Sequence, residues 1–234
     1  MRNYLLILAA LPALYGNHSF YAGTSLSFNM MSGRRSDYVT NTDSQSASIT
    51  RKKSVKNNGV FGGLFAGYLF RVNNFGISPE FFFNYGKIEN KVSGTHSDTT
   101  AAVYTKFYIT NRVTSQIGGN ARVGYFLDCY FLYAFVGLHY QKAKYYVTAQ
   151  QTPGDISLHD YAYSSSNQSA SAVSFGLGAE RPISDHFKIG LEMKYTKFPS
   201  KQYYYSLGDS EKTNITTKFK YRLLAFNFRL SYVF

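Results

Sequence analysis

His139 and Ser174 are the pair in this sequence best suited to acid–base or nucleophilic work. Each falls on the more polar side of a segment in which large apolar residues recur at every second position. Hydrolysis would need a base, a nucleophile and an orienting group within hydrogen-bond reach of one another. Spacing alone does not bring His139 and Ser174 to one height. The other histidines are worse placed: His96 and His159 lie in long polar stretches, His186 in a tight turn, and His18 beside an N-terminal apolar run. The economical reading of His139 is an inward polar residue with no reaction to perform, so no catalytic residue is expected. Cys129 is the single cysteine, which excludes an internal disulfide and any cysteine-built metal or redox centre. No metal or cofactor site is expected. "NIT" at Asn214 matches a glycosylation acceptor, a three-residue pattern common by chance.

A second group of residues could do electrostatic work. Glu80, Arg122, Glu180, Glu192, Lys194 and Arg229 occupy the face opposite the apolar one in their segments. Three carboxylates and three cations enclosed together would neutralise one another by ion pairing. A third group is basic and peripheral: Arg34, Arg35, Arg51, Lys52, Lys53 and Lys56 stand against only Asp37 and Asp43 in residues 31–57. Such a cluster attracts anions.

The elements that must hold these groups are strands. "SFYAGTSLSFNM" sets Phe20, Ala22, Leu26, Phe28 and Met30 against Tyr21, Gly23, Ser25, Ser27 and Asn29. The same alternation recurs in "VFGGLFAGYLF", from Ile77, from Gln116, from Leu132, in "SAVSFGLGAE", from Ile189 and in the terminal "LLAFNFRLSYVF". Eight such segments are joined alternately by short turns near 71–76, 128–130 and 182–186 and by long polar stretches at about 31–57, 87–113, 142–169 and 197–219. An all-β, eight-stranded, antiparallel up-and-down transmembrane β-barrel with four long external loops and short periplasmic turns has this layout. Register is checked by charge. Shifting a strand by one residue exchanges its faces, and a Lys or Arg facing mid-bilayer lipid costs about 2–4 kcal/mol. The aromatic and aliphatic set therefore faces lipid, and the six charges face a lumen just wide enough to be filled by side chains. Phe61, Phe65, Phe82, Tyr133 and Phe135 also point inward, so a plugged lumen is expected.

No stretch approaches the roughly 20 apolar residues of a spanning helix. "MRNYLLILAALPA" carries Arg2 and then a short apolar run, the pattern of a secretory signal. The expected organisation is a signal peptide over 1–18 and an outer-membrane β-barrel over 19–234.

The net charge is +12, and about three-quarters of it belongs to the four long connections. Tyr145, Tyr146, Tyr161, Tyr163 and Tyr203 to Tyr205 add a dense aromatic population there. Those near strand ends suit an interfacial girdle, and those deeper in loops suit recognition.

These residues resemble the small Gram-negative outer-membrane barrels of the OmpA/OmpX-like (outer membrane protein beta-barrel domain) family. The resemblance covers about 19–234 and rests on the eight-strand layout, the inward glycines of "GGLFAG" and "FGLGAE", and the terminal "FNFRLSYVF". It implies the bacterial outer membrane as location. It also implies that Phe234, with Tyr232, Leu230 and Phe228, forms the signal read by the barrel-assembly machinery. A cell-wall tether is not expected. The expected role is a surface-exposed structural or interaction protein, adhesin-like or contributing to envelope integrity, rather than an enzyme. A barrel-borne membrane enzyme acting on lipid or peptide, or a narrow porin-like ion channel, are the alternatives. Expected partners are outer-membrane lipid and lipopolysaccharide, the assembly machinery, and an anionic ligand on a host or environmental surface. Nucleic acid is not among them, and a monomer is expected.

Overall fold

The computed structural model describes residues 17–41, 49–98, 103–152, 159–199, 201–207 and 213–234. The candidate signal run through Gly16, and the centres of the four long connections, lie outside the described residues. Nine strands are present: β1 (Asn17–Asn41), β2 (Ile49–Val72), β3 (Phe75–Asp98), β4 (Val103–Leu127), β5 (Tyr130–Thr152), β6 (His159–Pro182), β7 (Phe187–Lys197), β8 (Lys201–Leu207) and β9 (Thr213–Val233). Neighbours in sequence pair antiparallel from β1 to β7, β7 and β8 both pair with β9, and β9 closes on β1. Because β7 and β8 lie end to end on one edge of β9, they act as one interrupted strand. The result is a closed eight-stranded barrel. Among the described residues no helix is long and apolar enough to cross a membrane.

Alternation dictates the wall. Leu64, Ile77, Phe81, Val136, Leu138, Phe175, Leu191 and Phe228 are all exposed on the outside, while Phe61, Phe65, Phe82, Tyr133 and Phe135 are buried inside. Such an inverted arrangement is stable only in lipid, where no hydrophobic penalty attaches to outward apolar side chains. Tight turns close one end. Asn73 and Asp128 adopt φ of 54° and 50°, the left-handed region that Asn and Asp enter more readily than other side chains.

At the other end the structure departs from the sequence reading. The stretches 31–57, 87–113, 142–169 and 197–219, read as loops, are largely strand: β1 and β2 remain paired from Met30↔Asn58 out to Val39↔Ile49. Nine further residues at about 3.3 Å each carry that hairpin about 30 Å further along the strand direction. The physical reason is that polarity on both faces reports water on both faces, not loss of pairing. These extensions form two separate walls. Pairing of β2 with β3 stops at Val60↔Lys87, and pairing of β6 with β7 stops at Val173↔Lys197. Among the described residues β8 pairs only with β9. Beyond the belt, then, β8–β9–β1–β2 and β3–β4–β5–β6 stand as two four-stranded sheets with seams on opposite sides.

Candidate functional site: a sealed lumen and a basic collar

The lumen is filled in layers. Nearest the short turns, Phe126, Phe131 and Tyr133 stack with ring centroids 4.6 and 5.3 Å apart, and the Arg71 guanidinium lies 4.0 Å over Phe126. Above them Arg122 and Arg229 hold three carboxylates. Arg122 pairs with Glu180 and, at 3.2 Å, with Glu80. Arg229 pairs with Glu80 and, at 3.2 Å, with Glu192. Tyr21 donates to Glu80 at 3.1 Å and accepts from Arg122 at 3.0 Å, while Asn227 donates to Glu192 at 2.7 Å. The planar guanidinium supplies several fixed donors to several acceptors, which suits it to bridging enclosed carboxylates. Aromatic faces complete the shell, with Tyr133 3.7 Å from Arg122 and Phe65 3.8 Å from Arg229.

Lys194 differs from the expectation that all three cations join the ion pairs. It is buried but makes no ion pair among the described residues; its ammonium instead lies 4.8 Å over the Phe82 ring. The nearest carboxylate along the strand, Glu192, is instead engaged by Arg229 at 3.2 Å and Asn227 at 2.7 Å. Sequence reasoning also passed over Tyr21, Ser78 and Asn227 as members of the network. Their inward parity was legible, but their partners lie 57 and 59 residues from Tyr21 and 35 from Asn227.

His139 is buried between the edges of Phe82 and Phe198, at centroid distances of 6.1 and 5.8 Å. Among the described residues neither ring nitrogen has a hydrogen-bond partner. Ser174 is turned instead to the Gly137 carbonyl at 3.5 Å. The two are therefore not joined as base and nucleophile. Among the described residues no group of three or more His, Cys, Asp or Glu is placed to hold a metal ion. Above this level Met31, Phe61, Ile88, Val113, Ala143, Ala172, Phe198 and Leu223 form an apolar layer to which β1 to β6, the β7–β8 connection and β9 contribute.

Outside, just beyond the apolar belt, the wall turns basic. On β3–β5, Glu89 is bonded by Lys87 at 2.6 Å, Lys91 at 3.2 Å and Arg112 at 3.0 Å, with Lys142 and Lys144 exposed nearby. The Lys87 hydrogen bond, with help from Lys91 and Arg112, holds the Glu89 carboxyl down to about 2. Its stabilising contribution is thus complete above the ordinary carboxyl range and is lost progressively as pH falls from that range through about 2. On the opposite arc, Lys56, Arg34, Lys218, Lys220, Arg222 and Lys197 are all exposed. Of the basic cluster read in 31–57, Arg34 and Lys56 belong to this collar. Arg35, Arg51, Lys52 and Lys53 take part in the β1–β2 ladder, and their side chains lie outside the described ones. At the far end, Phe234 donates its amide to Phe20 at 3.0 Å, and Phe228, Leu230 and Tyr232 face outward on the strand that closes the barrel.

A closed antiparallel barrel with an apolar outer belt and a filled lumen defines an integral outer-membrane protein. The model of the outer membrane protein beta-barrel domain matches residues 4–234, and the chain belongs to that family. Its location is the bacterial outer membrane. Among solved structures it is similar to the outer membrane protein OprG from Pseudomonas aeruginosa (10% identity, 94% of this chain and 97% of that one, TM-score 0.46). It is similar at the same TM-score to the outer membrane protease OmpT from Escherichia coli (8% identity, 92% and 97%, TM-score 0.46). A third is Ail, the attachment invasion locus protein of Yersinia pestis, in complex with the heparin analogue sucrose octasulfate (14% identity, 92% and 99%, TM-score 0.28). Among curated proteins nothing matches.

Proposed function

We propose that this outer-membrane barrel is a non-catalytic surface interaction protein whose two walls beyond the membrane engage an anionic ligand on another surface. The observation that carries the reading is the pair of four-stranded sheets that rise past the belt and separate at the β2/β3 and β6/β8 seams. A purely structural barrel has no use for paired walls that run on for about nine residues per strand beyond the apolar belt. The basic excess of the chain favours anions as partners. An enzymatic reading would need His139 in hydrogen-bond contact with a nucleophile or carboxylate, and among the described residues it has neither. Assembly of the barrel is assigned to the closing strand, with Phe234, Tyr232, Leu230 and Phe228 as the segment that the insertion machinery reads.

The test is a chain in which all four hairpins are shortened to the belt. The trimmed barrel is expected to fold and to reach the membrane, yet lose adhesion of whole cells to an immobilised sulfated polysaccharide. Equal adhesion by trimmed and intact forms would end the interaction reading.

A further inference from the structure

Where β7 ends, the barrel wall carries a hollow that neither the luminal ion pairs nor the outer sheets use. Pairing of β6 with β7 stops at Val173↔Lys197. The next residue, Phe198, is held by β9 instead. Its amide donates to the Tyr221 carbonyl at 3.3 Å, and its ring stacks on the Tyr221 ring with centroids 4.4 Å apart. Pro199 follows and has no N–H with which to resume a ladder. The hollow beside this break measures about 750 Å³. It is lined both by residues that face lipid, Leu138, Val173 and Phe175, and by residues that face the lumen, His139, Ala172 and Phe198.

His139 brings unused hydrogen-bonding capacity to this hollow. It is 4% exposed, and among the described residues neither ring nitrogen has a partner. The ring stands edge-on to Phe82 and Phe198, at interplanar angles of 64° and 71°. A buried polar group left without partners destabilises a fold, and a bound group that supplies them removes that penalty. Neutral imidazole presents a donor at one nitrogen and an acceptor at the other. A hydroxyl, which both donates and accepts, matches either. An ionised head would have to shed its water between the rings of Phe82 and Phe198, at a far greater penalty.

We propose that this hollow is a binding site for a long-chain apolar molecule bearing one uncharged hydroxyl. The chain lies along Leu138, Val173 and Phe175, and the hydroxyl bonds to His139 once the Phe198 ring, which borders both the hollow and the imidazole, turns aside. Plain hydrocarbon covers the same face but leaves the imidazole without a partner. The site belongs to the membrane-embedded wall and is independent of the sheets through which the proposed function works.

The test uses the full chain in nanodiscs of a phospholipid with unsubstituted acyl chains, with dodecanol as the probe and dodecane as its apolar counterpart. A photoreactive dodecanol with a diazirine in its tail is expected to label β5, β6 or β7 beside the hollow. Unlabelled dodecanol is expected to compete at about tenfold lower mole fraction than dodecane, the scale of one retained hydrogen bond. The imidazole nitrogen resonances of His139, assigned by their loss in His139→Gln, are expected to shift with dodecanol and not with dodecane. His139→Phe is expected to make the two competitors equal, and His139→Gln to restore most of the preference. Val173→Trp fills the hollow from the lipid side and is expected to abolish both the labelling and the resonance shift. That variant decides the matter if His139→Phe fails to fold, as judged by its mobility shift on heating. Equal competition by dodecanol and dodecane in the parent, an imidazole that does not respond to dodecanol, or labelling that survives Val173→Trp would each overturn the site.

Discussion

Glu80 is the residue on which the luminal electrostatics converge. Both of its oxygens are engaged, by Arg122, Arg229, Tyr21 and Asn120. An enclosed ion pair is not by itself strong evidence of stability, because desolvation offsets much of the attraction. Removing one member is a different matter, since it strands the others. Glu80→Gln would leave two guanidinium groups to share Glu180 and Glu192, and is expected to cost about 3–5 kcal/mol. Lys194→Met removes a cation whose described contact is the Phe82 ring, and is expected to cost about 1 kcal/mol or less. Urea titration of the refolded proteins in lipid vesicles measures both. Equal destabilisation would show that Lys194 is as tightly integrated as Glu80, contrary to the geometry.

At the scale of the strand, glycine placement separates the two faces of the wall. Gly176 of β6 points inward, and a Cβ there would meet the Phe135 ring and the Met193 carbonyl. Gly62 of β2 points outward, and a Cβ there would meet nothing within 4 Å. Gly176→Val is expected to destabilise by about 1–3 kcal/mol through overpacking. Gly62→Val is expected to be neutral or slightly stabilising, because a β-branched side chain suits a strand facing lipid. Midpoints of denaturant unfolding compare the pair, and a reversed order would mean that the strand faces are assigned the wrong way round. Those faces were legible in the sequence because a period of two leaves only two parities, and Arg122, Glu192 and Arg229 exclude one of them in their strands. The extensions were not legible. Tyr38, Thr50 and Thr216 are ordinary strand residues, but without an apolar face their pairing gives no hydrophobic signal. Nor could sequence show which carboxylate each arginine would reach, since that depends on strand stagger. Arg122 meets Glu180 across 58 residues and Glu80 across 42.

For the molecule as a whole, the question is whether the barrel conducts. Two barriers lie in series along its axis. The upper is apolar, from Phe61, Ile88, Phe198, Leu223 and their neighbours, and a constriction of this kind excludes water and the ions it carries. The lower is the layer of Arg122, Arg229 and three carboxylates, whose charges are occupied with one another and whose gaps are filled by Tyr21, Phe65 and Tyr133. Each layer alone is expected to block hydrated ions, and that expectation can be tested layer by layer. Phe61→Ala with Phe198→Ala opens the upper barrier only, so the double variant is expected to stay as silent as the parent in planar bilayers. If those two substitutions alone produced stepwise currents, the ion-pair layer would not be a seal. Currents from the parent chain would show that the lumen is a path. Silence in both assigns the membrane-spanning part to anchoring, and leaves interaction to the collar and the walls outside.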